Sequence, residues 1–187
     1  MTTQTPPAVL PETGMWTIDS AHSSARFRVT HHAVASFSAA FYGVKGSFDA
    51  ATGKLEGSVE VESLHLPLLP KLKEHLLVEE WFDVERFPLI SFDGVVSSGD
   101  QGLEADGDLT IRGATRPVTA EATVGGRAAV FDYRTKTVSD HIGIDLTTVI
   151  DRREFGLEFN NELPGGVRNL GWDVRLTVAL ELIEASE

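Results

Sequence analysis

The chain contains no cysteine. Disulfide frameworks, thiolate metal sites and cysteine nucleophiles are therefore excluded. Basic residues are scarce: 16 Lys and Arg stand against 28 Asp and Glu, a net charge of −12. Such a surface repels phosphate backbones and anionic head groups. The basic residues are scattered apart from Arg152–Arg153 and the Lys71/Lys73 pair, so nucleic acid is not an expected partner. No apolar run is long enough to cross a bilayer as a helix. The opening "MTTQTPPAVLPETGMW" has neither the basic nor the apolar region of a secretory signal peptide. These absences predict a cytoplasmic protein with no stable membrane anchor. GxGxxG, Walker, GxSxG and HExxH patterns are missing as well. Without a convergent catalytic or ligating set, neither an enzyme nor a cofactor nor a metal is expected.

What is present is period-two hydrophobicity. Ala25, Phe27 and Val29 alternate with Arg26, Arg28 and Thr30; Leu55, Val59 and Val61 flank Glu60. Leu103, Ala105, Leu109 and Ile111 fall on one face, as do Val118, Ala120, Ala122 and Val124. The clearest case is "WDVRLTVALEL", with Trp172, Val174, Leu176, Val178, Leu180 and Leu182 on one side. Turn residues at 49–53, 99–102, 125–126 and 164–166 separate these runs. Long strands with one apolar face make an antiparallel sandwich or barrel.

One stretch breaks the pattern. "PKLKEHLLVEEWF", residues 70–82, reads as a helix, with Pro70 at its start and i,i+4 apolar pairs Leu72–Leu76, Leu77–Trp81 and Val78–Phe82. An aromatic-rich helix over a barrel mouth is a candidate lid. The 187 residues suit one domain. Threonine and proline dominate residues 2–13, which predicts a flexible leader over 1–14 and one domain over 15–187. "LPETG" at 10–14 has the form of a sorting signal but stands at the wrong end of the chain, without an apolar tail after it.

Four motifs resemble the YceI-like, polyisoprenoid-binding family. They are "WTIDSAHSSARFRVTHH", "HLLVEEWFDVERFPLISF", "GDLTIRGATRPVT" and "DRREFGLEF", spread in order from Trp16 to about Glu184. The family's Gly–x–Phe step is matched by Gly46 and Phe48, at the end of an extended stretch. The resemblance implies an all-β, lipocalin-like, antiparallel eight-stranded β-barrel with a short inserted helix. It also implies an apolar cavity that takes a long-chain isoprenoid, a prenylquinone or a fatty amphiphile, and pairing as a homodimer.

On that barrel the expected ligand-binding set is Phe27, Val29, His31, Phe48, Leu76, Trp81, Phe92, Phe155, Trp172 and Val174, with Arg152 at the head group. Arg112, Asp151, Arg153 and Glu154 are further polar candidates for the mouth. His31 follows Val29 by two residues, so it is expected to face inward and His32 outward. Adjacent histidines on a strand cannot converge on one metal. An alternative reading is an isomerase, cyclase or hydrolase on a hydrophobic substrate, with His31 and a carboxylate as acid and base.

Overall fold

The computed structural model describes residues 9–99, 102–133 and 136–185. The first eight residues of the expected leader lie outside it. Of the remainder, Pro11 is buried and Leu10 packs against the core.

Alternating sequence becomes antiparallel strand throughout. The order is β1 (Met15–Ile18), β2 (Ser24–His31), β3 (Ala35–Tyr42), β4 (Lys45–Asp49), β5 (Lys54–Glu60), helix α1 (Pro70–Leu77), β6 (Leu89–Gly99), β7 (Gly102–Ile111), β8 (Ala114–Asp132), β9 (Thr137–Asp151), β10 (Glu162–Leu163), β11 (Val167–Arg168) and β12 (Leu170–Glu184). The ladder runs β1-β4-β5-β6-β7-β8-β9-β12, and β12 returns to β1 through Trp16↔Glu184 and Ile18↔Leu182. This is a closed eight-stranded barrel.

Two of its staves are broken. β12 pairs with β2 along Leu170–Ala179 and with β1 along Leu182–Glu184, so β1 and β2 share one edge. β3 pairs with β2, and β4 with β1, so these two form the next stave. β4 continues the ladder to β5, but β3 meets the following segment at an isolated Ala40↔His65 bridge and through the Tyr42 N–H, which donates to Ser63 Oγ at 3.2 Å. The helical insertion follows that segment. A helix therefore closes the barrel where strand pairing lapses.

Along β7, β8 and the far half of β12 the inward faces are those the alternation predicts, with Ala105, Leu109, Ala120, Ala122, Leu180 and Leu182 buried. Trp16, Ile18, Phe48, Ile142 and Leu182 are buried and joined through the registers of β1, β4, β9 and β12, forming an apolar floor. Higher up, Gly94 and Gly107 stand opposite each other on β6 and β7. A Cβ on either would come within 2.4 Å of a backbone oxygen on the facing strand and within 2.8 Å of the Phe92 ring. The glycine pair gives Phe92 room to lie across the wall.

The helix differs from expectation. It ends at Leu77 rather than residue 82, because Val78 is extended, with ψ 174°. Continuing the helix would place Glu79 and Glu80 three and four residues beyond buried Leu76, on the same face. Instead the chain turns. The Phe82 N–H donates to the Leu76 carbonyl at 3.1 Å and Val84 N–H to Leu77 at 3.0 Å. Both glutamates stay exposed while Trp81 is buried.

β8 and β9 outrun their neighbours. Beyond Ala122 on β8 and His141 on β9, among the described residues, they pair with each other to Asp132 and Thr137. Val130, Phe131, Tyr133 and Val138 are exposed on this ribbon.

Candidate functional site

The inward side chains do not fill the barrel. A cavity of about 110 Å³ lies above the floor, bordered by Ile18, Val44, Phe92, Ala120 and Leu180. A second, of about 160 Å³, lies below the helix, bordered by Phe27, Phe41, Leu76, Trp81, Phe82 and Val174. Ala25, Val59, Ile90, Leu109, Leu176 and Val178 line both. The two spaces adjoin, and these six residues stand at the waist between them. Inward polar groups are few. Thr148 donates its hydroxyl to the Thr119 carbonyl at 2.8 Å. Arg152 borders the wider lobe.

Of the residues expected to bind a ligand, Phe27, Val29, Leu76, Trp81, Arg152 and Val174 border the wider lobe and Phe92 the narrower one. Four stand elsewhere. Phe48 is 1% exposed and belongs to the floor. Phe155, also 1% exposed, packs with Ile150 and Leu157 beneath the turn that follows β9.

Trp172 leaves the inward face because of a bulge. Between Leu170↔His31 and Val174↔Val29, β12 runs two residues longer than β2. Its ring instead stacks with guanidinium groups, 4.3 Å from Arg152, 5.0 Å from Arg153 and 5.4 Å from Arg168.

His31 is likewise displaced. It begins the tight corner between β2 and β3, where His32 and Ala33 adopt φ of 55° and 53°. The Val34 N–H closes that corner on the His31 carbonyl at 3.1 Å. The two histidine rings stack at 3.7 Å. No carboxylate pairs with His31 among the described residues, so the acid–base pair of the enzymatic alternative is not assembled there. A left-handed corner made of histidine and alanine, rather than Asn-Gly, gives no signal in sequence.

The lid is held by polar contacts that sequence reasoning missed. Trp81 Nε1–H donates to His75 Nε2 at 3.1 Å. Arg112 donates to the Glu79 carbonyl at 2.6 Å and to the Gly156 carbonyl at 2.7 Å, joining the lid to the turn at residues 152–156. No local spacing signals the two distant acceptors of Arg112, which lie 33 and 44 residues away along the chain.

In that turn Asp151 accepts the Arg153 N–H at 2.9 Å and the Arg153 Nε–H at 2.9 Å. The Arg153 guanidinium holds the Asp151 carboxyl below the usual carboxylate range. Arg152 is 4% exposed. It donates from Nε to the Gly171 carbonyl at 2.9 Å and from Nη1 to the carbonyls of Phe159, at 3.0 Å, and Leu157. Burial pushes its guanidinium below its ordinary value.

Outside the barrel, His22 Nδ1 pairs with Asp19 at 2.7 Å and His141 Nδ1 with Glu181 at 2.6 Å. Asp19, His22 and Glu181 bring ligand atoms within 4.8 Å of one another, but these groups are engaged in their own pairs.

A closed antiparallel barrel with an apolar lumen and a helical lid is the architecture of lipocalin-like proteins. More narrowly, the chain belongs to the family of the YceI-like domain, whose model matches residues 16–182. It is similar to a UPF0312 protein of Staphylococcus aureus strain USA300, 29% identical over 177 residues that cover 89% of this chain and 95% of the relative. Among solved structures it resembles Burkholderia cenocepacia BcnA, with TM-score 0.69, 20% identity and coverage of 88% and 98% of the two chains. It also resembles a polyisoprenoid binding domain from Saccharophagus degradans implicated in plant cell wall breakdown, with TM-score 0.68, 10% identity and coverage of 91% and 98%. Among the described residues no helix is long and apolar enough to cross a membrane.

Proposed function

We propose that this protein binds a long-chain isoprenoid or a similar amphiphile, a prenylquinone included, in the barrel lumen and carries or sequesters it. One observation carries this reading: two apolar lobes adjoin and share six lining residues, an arrangement that suits one long chain lying through both. Each lobe is close in size to an apolar cavity of about 150 Å³ that holds one benzene. A compact ligand would use one lobe, whereas a slender chain uses both. Burial supplies about 25 cal/mol per Å² of apolar area, and part of this is offset by ordering the chain. No catalytic group is needed. The polyisoprenoid binding domain among the structural neighbours supports the ligand class.

The test is organic-solvent extraction of the purified protein with mass spectrometry of the extract, beside native mass spectrometry of the intact protein. A stoichiometric prenyl or long-chain species supports the reading. A clean apo mass that takes up no added prenylquinone overturns it. Pairing of two copies is supported by the β8–β9 ribbon, whose exposed Phe131 and Val138 offer an apolar contact surface. Light scattering on wild type and Phe131→Lys tests this: a dimer that becomes monomeric supports pairing through the ribbon.

A further inference from the structure

The corner between β1 and β2 carries ligating groups that the lumen does not use. Asp19, His22 and Glu181 each bring one ligand atom within 4.8 Å of the others. The main chain bolts this corner to β12. The Asp19 N–H donates to the Glu181 carbonyl at 2.7 Å, and the Glu181 N–H donates to Ser23 Oγ at 3.0 Å. The three side chains therefore converge from a fixed frame. Their ion pairs do not exhaust them. The Ala21 N–H fastens Asp19 Oδ1 at 2.9 Å, while Oδ2 meets His22 Nδ1 at 2.7 Å. His141 Nδ1 fastens Glu181 Oε1 at 2.6 Å, and Ser139 Oγ holds the other nitrogen of that ring at 3.2 Å. Glu181 Oε2 has no partner among the described residues. Each carboxylate thus has one oxygen held by an outer contact and a second turned to the cluster, as oriented metal ligands do.

We propose that this corner binds one divalent transition-metal ion, zinc being the best match, through Asp19, His22 and Glu181. Two carboxylates and a neutral imidazole together carry the two negative charges that a divalent ion cancels. One nitrogen among oxygens suits zinc, whereas calcium and magnesium take oxygen shells. Zinc stands about 2.0–2.2 Å from such ligands, so the three groups close in by little more than about 1 Å. His22 is exposed and free to make that movement. Three protein ligands leave the fourth position to water. The ion ties the corner to β12 beside the Ile18↔Leu182 pairing, whatever fills the lumen. The alternative is a pair of salt bridges, Asp19–His22 and His141–Glu181, that only brace the corner.

Zinc chloride titrated into the chelator-treated full-length protein separates these cases. The titration is followed by calorimetry at about pH 7.5 with excess calcium, which occupies acidic surface sites but does not compete for imidazole. Wild type is expected to bind one equivalent and to gain in Tm. His22→Ala, at an exposed position, and Asp19→Asn, which keeps an acceptor for the Ala21 N–H, are each expected to weaken binding at least about 100-fold. Both should lose the zinc-dependent rise in Tm. Wild type that takes up no zinc overturns the proposal. Zinc binding unchanged in either variant overturns it too, and would put the ion on the general acidic surface or at the stacked His31–His32 pair. Salt bridges that merely brace the corner would lower the Tm of the variants by the same amount with and without zinc, and that result also refutes the site.

Discussion

Blocking the waist of the lumen should separate ligand uptake from folding. Ala25 lines both lobes and pairs with Phe41 on β3 and Val178 on β12. Ala25→Phe adds one phenyl ring at that point. The wider lobe measures about 160 Å³, and a cavity of about 150 Å³ accepts benzene, so the ring has room. Burying it contributes about 1.5–3 kcal/mol. Adjustment of the surrounding side chains costs about 1–3 kcal/mol. The two nearly cancel, so stability should stay within about 2 kcal/mol of wild type. For a chain of this length that is a shift in Tm of no more than about 8 °C. A long chain can no longer thread from one lobe to the other. Uptake of a C20 or longer prenyl compound, read by native mass spectrometry, should fall at least about tenfold. A folded Ala25→Phe protein that binds such a compound with wild-type affinity and stoichiometry would refute the continuous lumen. A variant destabilised by much more than 2 kcal/mol would show that the waist is already full.

Phe92→Asp places an unpaired carboxylate in the apolar wall, and should cost at least about 3 kcal/mol by denaturant melt and abolish uptake. Gly107→Ala pushes a methyl against the Asp93 carbonyl and the Phe92 ring. It should cost about 1–3 kcal/mol, and a double-mutant cycle with Phe92→Ala should show coupling. The Asp19–His22 pair titrates in a defined window. Burial raises the Asp19 carboxyl, but hydrogen bonds from His22 and the Ala21 N–H outweigh this and lower it overall. The hydrogen bond to Asp19 raises His22. The Asp19 contribution is present above the ordinary carboxylate value, about 3.9, and fades as pH falls through the lowered one. The His22 contribution is present below about 6.5 and fades as pH rises through the raised one. The stability advantage of wild type over His22→Gln should therefore be greatest between about pH 4 and 6.5, and an advantage unchanged at pH 9 would contradict the pairing.

Period-two hydrophobicity made the barrel wall legible along β7, β8 and the far half of β12, because each inward residue there has only one face to choose. The breaks in that rule were not legible. Trp172 keeps the alternation in sequence, yet the extra residues opposite β2 turn it outward. His31 keeps it too, but stands at a corner whose positive φ values no glycine announces. The end of α1 was hidden because i,i+4 apolar pairs continue through Phe82. The opposing signal was Glu79–Glu80, two charges that a longer helix would have buried. In the lumen, composition marks the wall as apolar but cannot say whether apolar groups meet or leave space between them. Phe48 and Phe155 meet their neighbours, whereas Phe27 and Phe92 border a void.

The closing seam joins Trp16 to Glu184. The first stave thus waits for the last: β1 cannot complete its pairing with β12 until Glu184 has been made. Such distant pairing makes folding slow, and nascent chains are exposed to wrong partners while it lasts. No enclosed space exists until the final strand has emerged and zipped. A ligand of the proposed kind would therefore enter either a finished barrel past helix α1 or a chain caught at the moment of closure. Refolding from denaturant with and without a prenyl compound distinguishes the two routes by rate.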